Sequence, residues 1–260
     1  MRTIDAAHHG KYIAAALANT ANRVYPLSIA EGVQAGDIFV NDPEDAEAVL
    51  FWHFCGFGFI TGTPSERFLR QLREEICFAR SRRMILITHE EAVVRFFKAQ
   101  GCGTGDRIEY GYAGSRAACE RETELGSVRL TRIDSGNIGQ ITGKIIPTFS
   151  WESPEKFLKK SFGYAAFDGT AYCGTAFASG LSSKEADIGV EVVPEYRGRG
   201  IAAALVQKTC GEALKRGLQP VWDHHGTNVA SGRTALRCGF VRKQMNTYVN
   251  VKPEAGGKRF

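Results

Sequence analysis

The chain has 260 residues with 43% apolar and 23% charged side chains, the make-up of an ordinary folded protein, which excludes long disordered stretches. Its formal net charge of +5 arises late: residues 1–150 hold 17 basic and 18 acidic side chains, residues 151–260 hold 16 and 10. No apolar leader follows Met1, no run of about 18 apolar residues occurs, and the seven cysteines never fall as Cys-x-x-Cys, so we expect a cytoplasmic protein with free thiols, no membrane span and no metal site.

In chain order, residues 5 to about 20 predict an alanine-rich helix and residues 38–40 a short strand. Residues 48–54 and 57–60 are apolar runs separated by Gly56 and Gly58. Thr63-Pro64-Ser65-Glu66 predicts a helix start with a capping hydroxyl, proline in the first position and glutamate three residues after the cap. That helix carries Phe68, Leu69, Leu72, Ile76 and Phe78; a strand at 84–88 and a helix at 89–100 follow, closed by Gly101. The alternation implies a small α/β domain. Nothing in it reads as chemistry: His53 and His89 are read as structural, and Gly56-Phe57-Gly58-Phe59 as a bend.

A glycine-rich break at 103–114 and a charged helical segment to Glu124 lead to a boundary expected near Gly126. Residues 128–133 alternate as a first strand, residues 134–150 cross the sheet partly as helix, and Ser153-Pro154 opens another helix. Strands on either side of Asp168-Gly169 predict a hairpin with a type I′ turn. A second reversal at 181–184 returns the chain into a strand in which Ile188, Val190 and Val192 alternate with Asp187, Gly189 and Glu191, until Pro194 ends the ladder. The next helix puts Ala202, Val206, Cys210 and Ala213 on one face and stops at Gly217. Residues 220–223 then lie parallel to the preceding strand by a right-handed crossover, which opens a crevice at the strands' carboxyl ends. Residues 228–237 form a last helix, Phe240 begins a final strand to residue 249, and residues 252–260 are a tail.

The turn between that strand and helix carries the chemistry. Glycines at 198 and 200 leave no side chain over the first amides of the helix, whose N–H groups and dipole can face one anion, and Arg197 and Arg199 add charge. A pyrophosphate fits this cradle, as part of an acyl-coenzyme A or a nucleotide. Ile201 and Ala202 stand where a Walker-type loop needs Lys and Ser or Thr, and the glycine spacing does not match the dinucleotide fingerprint. The basic residues are dispersed without an aromatic series, which argues against nucleic acid.

Arg197-Gly198-Arg199-Gly200-Ile201-Ala202 resembles the Arg/Gln-x-x-Gly-x-Gly/Ala signature of the GNAT superfamily of acetyl-coenzyme A dependent N-acetyltransferases. Asn228, Ser231 and Ala235-Leu236-x-x-Gly239-Phe240 extend the resemblance, which covers residues 127–251. With Trp222 and Tyr248 it is loosely similar to the branch containing the zwittermicin A resistance acetyltransferase, whose members carry an extra N-terminal domain. The resemblance implies that backbone groups of Val192 and Val193 bind pantetheine and polarise the thioester carbonyl. It further implies that amides from Arg197 through Gly198, Arg199, Gly200 and Ile201 to Ala202 hold the pyrophosphate, and that Asn228 and Ser231 hold the thiol arm. Many relatives place a tyrosine acid where this chain has Ala235, which leaves Tyr248, Ser231 or water to protonate the thiolate, or the thiolate to leave unprotonated, as a free thiol pKa of about 8.5 allows.

For the base, Asp223 ends the parallel strand, Glu191 alternates away from Val190 and Val192, and His224 follows at the strand end; Asp223 is preferred. The expected fold class is α/β (an α+β mixed sheet): a smaller α/β domain at 1–126, a GNAT-like acyltransferase domain at 127–251 and a flexible tail at 252–260. The expected activity is transfer of an acetyl group from acetyl-CoA, without metal, to a primary amine by direct attack in a ternary complex. The acceptor is a small molecule or peptide, with no nucleic acid and no membrane; nothing sets the oligomeric state. The alternative is an inactive acetyl-CoA-binding or interaction module.

Overall fold

The computed structural model describes residues 1–78, 82–119 and 123–253, with side chains at 76–78 set aside, so the expected positions of Ile76, Phe78 and most of the tail fall outside the described residues. The chain forms two compact units. The first comprises Met1–Arg107, His225–Thr227 and the segment from Met245; the second comprises Ile108–His224 and Asn228–Gln244. The boundary expected near Gly126 lies inside the second unit. Among the described residues no helix is long and apolar enough to cross a membrane, and no cluster of metal-ligating side chains occurs.

In the first unit, strands β1 (Arg2–Thr3), β2 (Gly36–Val40), β3 (Ala48–His53) and β4 (Phe57–Gly62) pair antiparallel in that order, and β4 pairs parallel with β5 (Met84–Thr88). Helix α1 (Ile13–Ala18) continues a 3-10 turn at Ala6–Tyr12, so the expected first helix is in two pieces. Helix α2 (Val24–Ala30) is buried at every position and shows no amphipathic stripe for sequence reading to catch. Its Tyr25 stacks on Phe59 at 5.9 Å and meets Phe57 and His53 edge-on at 5.3 and 5.0 Å. On the other side Phe39, Leu50, Trp52 and Leu86 form a core with Phe68 of α3 (Glu66–Gln71) and with Val93 and Phe97 of α4 (Glu91–Ala99). The cap of α3 is Ser65, whose hydroxyl accepts from Phe68 N–H at 3.1 Å, two residues later than Thr63. The glycine-rich break at 103–114 is a strand, β6 (Gly103–Tyr112). Its glycines admit neighbours where a Cβ would collide: one at Gly105 would lie 2.7 Å from the Tyr248 ring, one at Gly111 2.4 Å from Lys243.

His53 is fully buried, and its Nδ1 accepts the Cys55 N–H at 3.2 Å. Burial first, and the Arg82 charge second, push its pKa down to about 3. The unfolded chain protonates this histidine below about pH 6.5, so the folded state gains from its neutrality in full above that pH and loses it as pH falls toward 3, an effect of up to roughly 5 kcal/mol. His53→Asn, which keeps an acceptor near Nδ1, is expected to flatten the acid limb of a urea-midpoint against pH plot; an unchanged limb would place the titration elsewhere.

The second unit opens with the short helix α5 (Arg116–Cys119), then β7 (Val128–Arg132), α6 (Pro147–Ser150) and α7 (Pro154–Lys160), the last capped by Ser153 as its Ser-Pro start predicts. Strands β8 (Gly163–Asp168), β9 (Ala171–Leu181) and β10 (Glu185–Val192) are antiparallel. The first hairpin turns on Gly169-Thr170, with positive φ only at Gly169, so it has the II′ pattern, not I′. Helix α8 (Ile201–Lys215) crosses to β11 (Gln219–His225), parallel to β10; α9 (Val229–Arg237) and β12 (Phe240–Val251) complete the chain. Strand β6 lies next to β11 here, and the end of β12 pairs with β5 in the first unit, Thr247 opposite Thr88 and Val251 opposite Met84.

Candidate active site

β10 pairs with β9 along its length but with β11 only at Glu185, Ala186 and Asp187. The β9–β10 register shifts between Asp187 and Ile188, and a bulge increases local twist where β11 departs. Residues 188–192 therefore line an open wedge. Successive peptide groups of a strand point to opposite sides. Val193 N–H bonds Cys173 O at 2.9 Å, so the peptide groups of Val192 and Val190 point away from β9 into the wedge. Val193, expected to serve the pantetheine through its backbone, has its amide committed to the sheet, and Val190, which sequence reading passed over, is aimed with Val192.

After β10 a 3-10 turn at Pro194–Tyr196 folds back, and Arg197 Nε donates to Val192 O at 3.0 Å. Tyr196 donates to Asp168 Oδ2 at 3.1 Å, and the Arg199 guanidinium lies 4.8 Å over the Tyr196 ring, which pins the turn. Gly198 and Gly200 have φ of +78° and +82°, a conformation L side chains resist. A Cβ at Gly198 meets nothing within 4 Å, and one at Gly200 only Leu125 Cδ2 at 3.9 Å. The first helical bond of α8 runs from Ala204 N to Gly200 O, so the amides of Ile201, Ala202 and Ala203 face outward at the positive end of a 15-residue helix. Gly198 and Gly200 thus put no side chain at the entry to these outward amides, an arrangement open to an anion.

On the far side of the wedge Trp222 Nε1 donates to Ser231 Oγ at 3.1 Å, and Asn228 Oδ1 accepts from Ser231 N at 3.1 Å. Asn228 is thus the cap of α9. His224 is buried beneath α9 with Nε2 3.2 Å from Tyr110 Oη, their rings stacked at 5.4 Å. Gly232 makes room for this pair, because a Cβ there would lie 2.9 Å from His224 Nε2. Ala235 is fully buried. Tyr248, on β12, holds its hydroxyl 2.7 Å from His225 Nε2 in the first unit.

Asp187 pairs with Val221, so alternation puts Asp187, Glu191 and Asp223 on one face, opposite Val192, Trp222 and His224. Asp223 is half-buried there. Glu191 Oε2 accepts the amides of Lys144 and Ile145 at 2.7 and 2.6 Å. Gly143, at φ +133°, turns tightly past it, since a Cβ would sit 2.7 Å from that oxygen. Nothing in the sequence signals this clamp. The phenol of nearby Tyr172 is held protonated, by burial and then by the Glu191 charge. Glu191→Ala is expected to cost about 1–3 kcal/mol of stability by orphaning two amides. Glu191→Gln, which keeps an acceptor, should retain turnover within a few-fold; a larger loss in Gln than in Ala would reassign the residue to chemistry.

The model of the family described as GNAT acetyltransferase matches residues 15–248. The uncharacterized N-acetyltransferase YdfB of Bacillus subtilis strain 168 is 28% identical over 90 residues, 35% of this chain and 34% of its own, so the match spans about a third of that relative's length. A solved GCN5-related N-acetyltransferase-like protein from Streptococcus suis superposes over 95% of this chain and 99% of its own, with a TM-score of 0.74 at 19% identity. A tandem GNAT protein from the clavulanic acid biosynthesis pathway covers 98% and 99%, with a TM-score of 0.63 at 10% identity. A GCN5-related N-acetyltransferase from Kribbella flavida covers 91% and 97%, with a TM-score of 0.61 at 13% identity. At these identities the solved structures speak for the fold.

Proposed function

The chain belongs to the GNAT acetyltransferase family, and from that premise we propose that it transfers an acetyl group from acetyl-CoA to a primary amine by direct attack in a ternary complex. The observation that carries this is the outward-facing N-terminus of α8, framed by Gly198 and Gly200 beside the splay of β10 and β11. The residues present fit the cosubstrate: amides of Ile201, Ala202 and Ala203 with Arg197 and Arg199 for the diphosphate, and peptide groups of Val190 and Val192 for the pantetheine. When bound, acetyl-CoA supplies a thioester carbonyl open to attack.

The chain's own groups then have three tasks. The Val192 N–H, directed into the wedge, polarises the carbonyl oxygen. The acidic face of Asp187, Glu191 and Asp223 favours a cationic amine, and Asp223 relays its proton away. Ser231 Oγ, which accepts from Trp222, still has its own proton to donate to the departing thiolate. The buried Ala235 favours a second reading, an inactive acetyl-CoA-binding module. Thiol release from acetyl-CoA with a panel of small and peptide amines separates the two: release above the hydrolytic background with at least one amine supports transfer, and cofactor binding without release supports the module. The looser likeness to the zwittermicin A resistance branch rests on Trp222, Asn228, Ser231, Gly239-Phe240 and Tyr248, and favours small-molecule amines first in that panel.

A further inference from the structure

The first unit repeats the second strand for strand. In each, a short strand and then two longer ones pair antiparallel, a fourth pairs antiparallel with the third, and a helix crosses to a fifth that is parallel to the fourth: β1 to β5 in one, β7 to β11 in the other. The parallel ladders match in extent. β4 meets β5 only through its first three residues, Phe57, Gly58 and Phe59, as β10 meets β11 only through Glu185, Ala186 and Asp187. The exits match too, since Thr63 N–H bonds back to Glu47 O as Val193 N–H bonds back to Cys173 O. Counted from there, Ile60 corresponds to Val190 and Gly62 to Val192. The first unit therefore has a wedge of its own, with the Ile60 peptide directed into it.

That wedge is filled by the chain. Asn19, buried at the end of α1, donates its side-chain amide to Ile60 O at 3.2 Å and to Thr61 Oγ1 at 3.1 Å. The next residue, Thr20, has its hydroxyl 3.2 Å from His89 Nε2, just beyond the end of β5. Asn19-Thr20 thus bridge the two diverging strands, and a carboxamide meets the backbone group corresponding to one that faces the wedge in the second unit. The helix entry is filled likewise. Where α8 has two left-handed glycines and two arginines, α3 has Ser65, whose Oγ takes Phe68 N–H, while Ser65 N–H and O–H both donate to Glu47 Oε1 at 3.3 and 2.7 Å. A carboxylate of the chain thus sits at the entry to α3, on the N–H of its cap residue, the counterpart of Gly200.

We infer that the first unit is a second, self-filled copy of the cofactor-binding fold, in which Asn19-Thr20 and Glu47 stand where a pantetheine arm and a diphosphate would lie, so that the protein takes one coenzyme A per chain. The stoichiometry rests on the reading of the second unit as the cofactor site; the filling of the first wedge does not. Calorimetry and native mass spectrometry of the full chain with coenzyme A are expected to give one molecule per wild-type chain and none in Gly200→Glu. Two per chain, or one persisting in Gly200→Glu, would overturn the inference. None in the wild type would remove the proposed function and leave the filling to a second measurement, amide hydrogen exchange without cofactor. In Asn19→Ala/Thr20→Ala, exchange at residues 60–62 and 89–90 should rise at least tenfold; exchange unchanged there would show that the pair does not hold the wedge and would overturn the inference.

Discussion

Gly200→Glu is expected to abolish the stabilisation that coenzyme A gives to the protein, while the fold still melts cooperatively. Two effects act at one atom. Gly200 has φ +82°, so any L side chain there is strained by roughly 1–2 kcal/mol, a fraction of a typical unfolding free energy of about 5–15 kcal/mol. The added carboxylate also stands at the N-terminal end of α8, where it competes for the dipole and repels a diphosphate. Gly200→Ala carries the strain without the charge and separates the two. At a ligand concentration of about 100 Kd the wild type should gain ~2.7 kcal/mol, readable as a rise in Tm of a few degrees. Gly200→Ala should keep part of that rise and Gly200→Glu none. A full rise in Gly200→Glu would remove the diphosphate seat from the α8 N-terminus.

What was legible in the sequence was local. The alternation of Ile188, Val190 and Val192, the glycines and arginines at 197–200 and the Asn228 helix start each depend on neighbours within a turn or a strand, and these elements stand where their patterns put them. What escaped depends on distant partners. The glycines of β6 look like a linker until Tyr248 and Lys243 are seen against them. Ser65 outcompetes Thr63 as the cap because Glu47, eighteen residues upstream, takes its N–H and O–H. The repeat of the fold left no comparable trace in the residues: its wedge positions read Ile60 to Gly62 in one unit and Val190 to Val192 in the other, and the glycine-arginine turn has no counterpart before α3. Within the site the same division holds. The glycine-arginine turn is a contiguous segment whose conformation could be read, whereas the clamp on Glu191 comes from amides at 144 and 145 and the cover over His224 from Tyr110, neither marked by spacing.

Those two contacts bear on the base. Glu191 spends a carboxylate oxygen on two amides, and His224 is enclosed with Tyr110 on the opposite face of β11, so of the three candidates Asp223 is the carboxylate we assign to the amine. An alkylammonium holds its proton about six pK units more tightly than an ordinary carboxylate, so direct transfer is unfavourable and the proton must leave through water that the carboxylate orients. A positioned group of this kind contributes ~10²- to 10⁴-fold. Asp223→Asn is therefore expected to lower kcat within that range at neutral pH, to leave coenzyme A affinity unchanged, and to recover partly as pH approaches the pKa of the amine, where free base no longer has to be generated on the enzyme. Asp223→Glu, which keeps the charge but lengthens the reach, should fall between. Should Asp223→Asn turn over normally while Glu191→Gln does not, the base is Glu191 and the clamp on residues 144 and 145 must open during turnover. If neither change matters, His224→Gln is the discriminating variant: loss of turnover with cofactor affinity intact would move the proton path to the α9 side of β11.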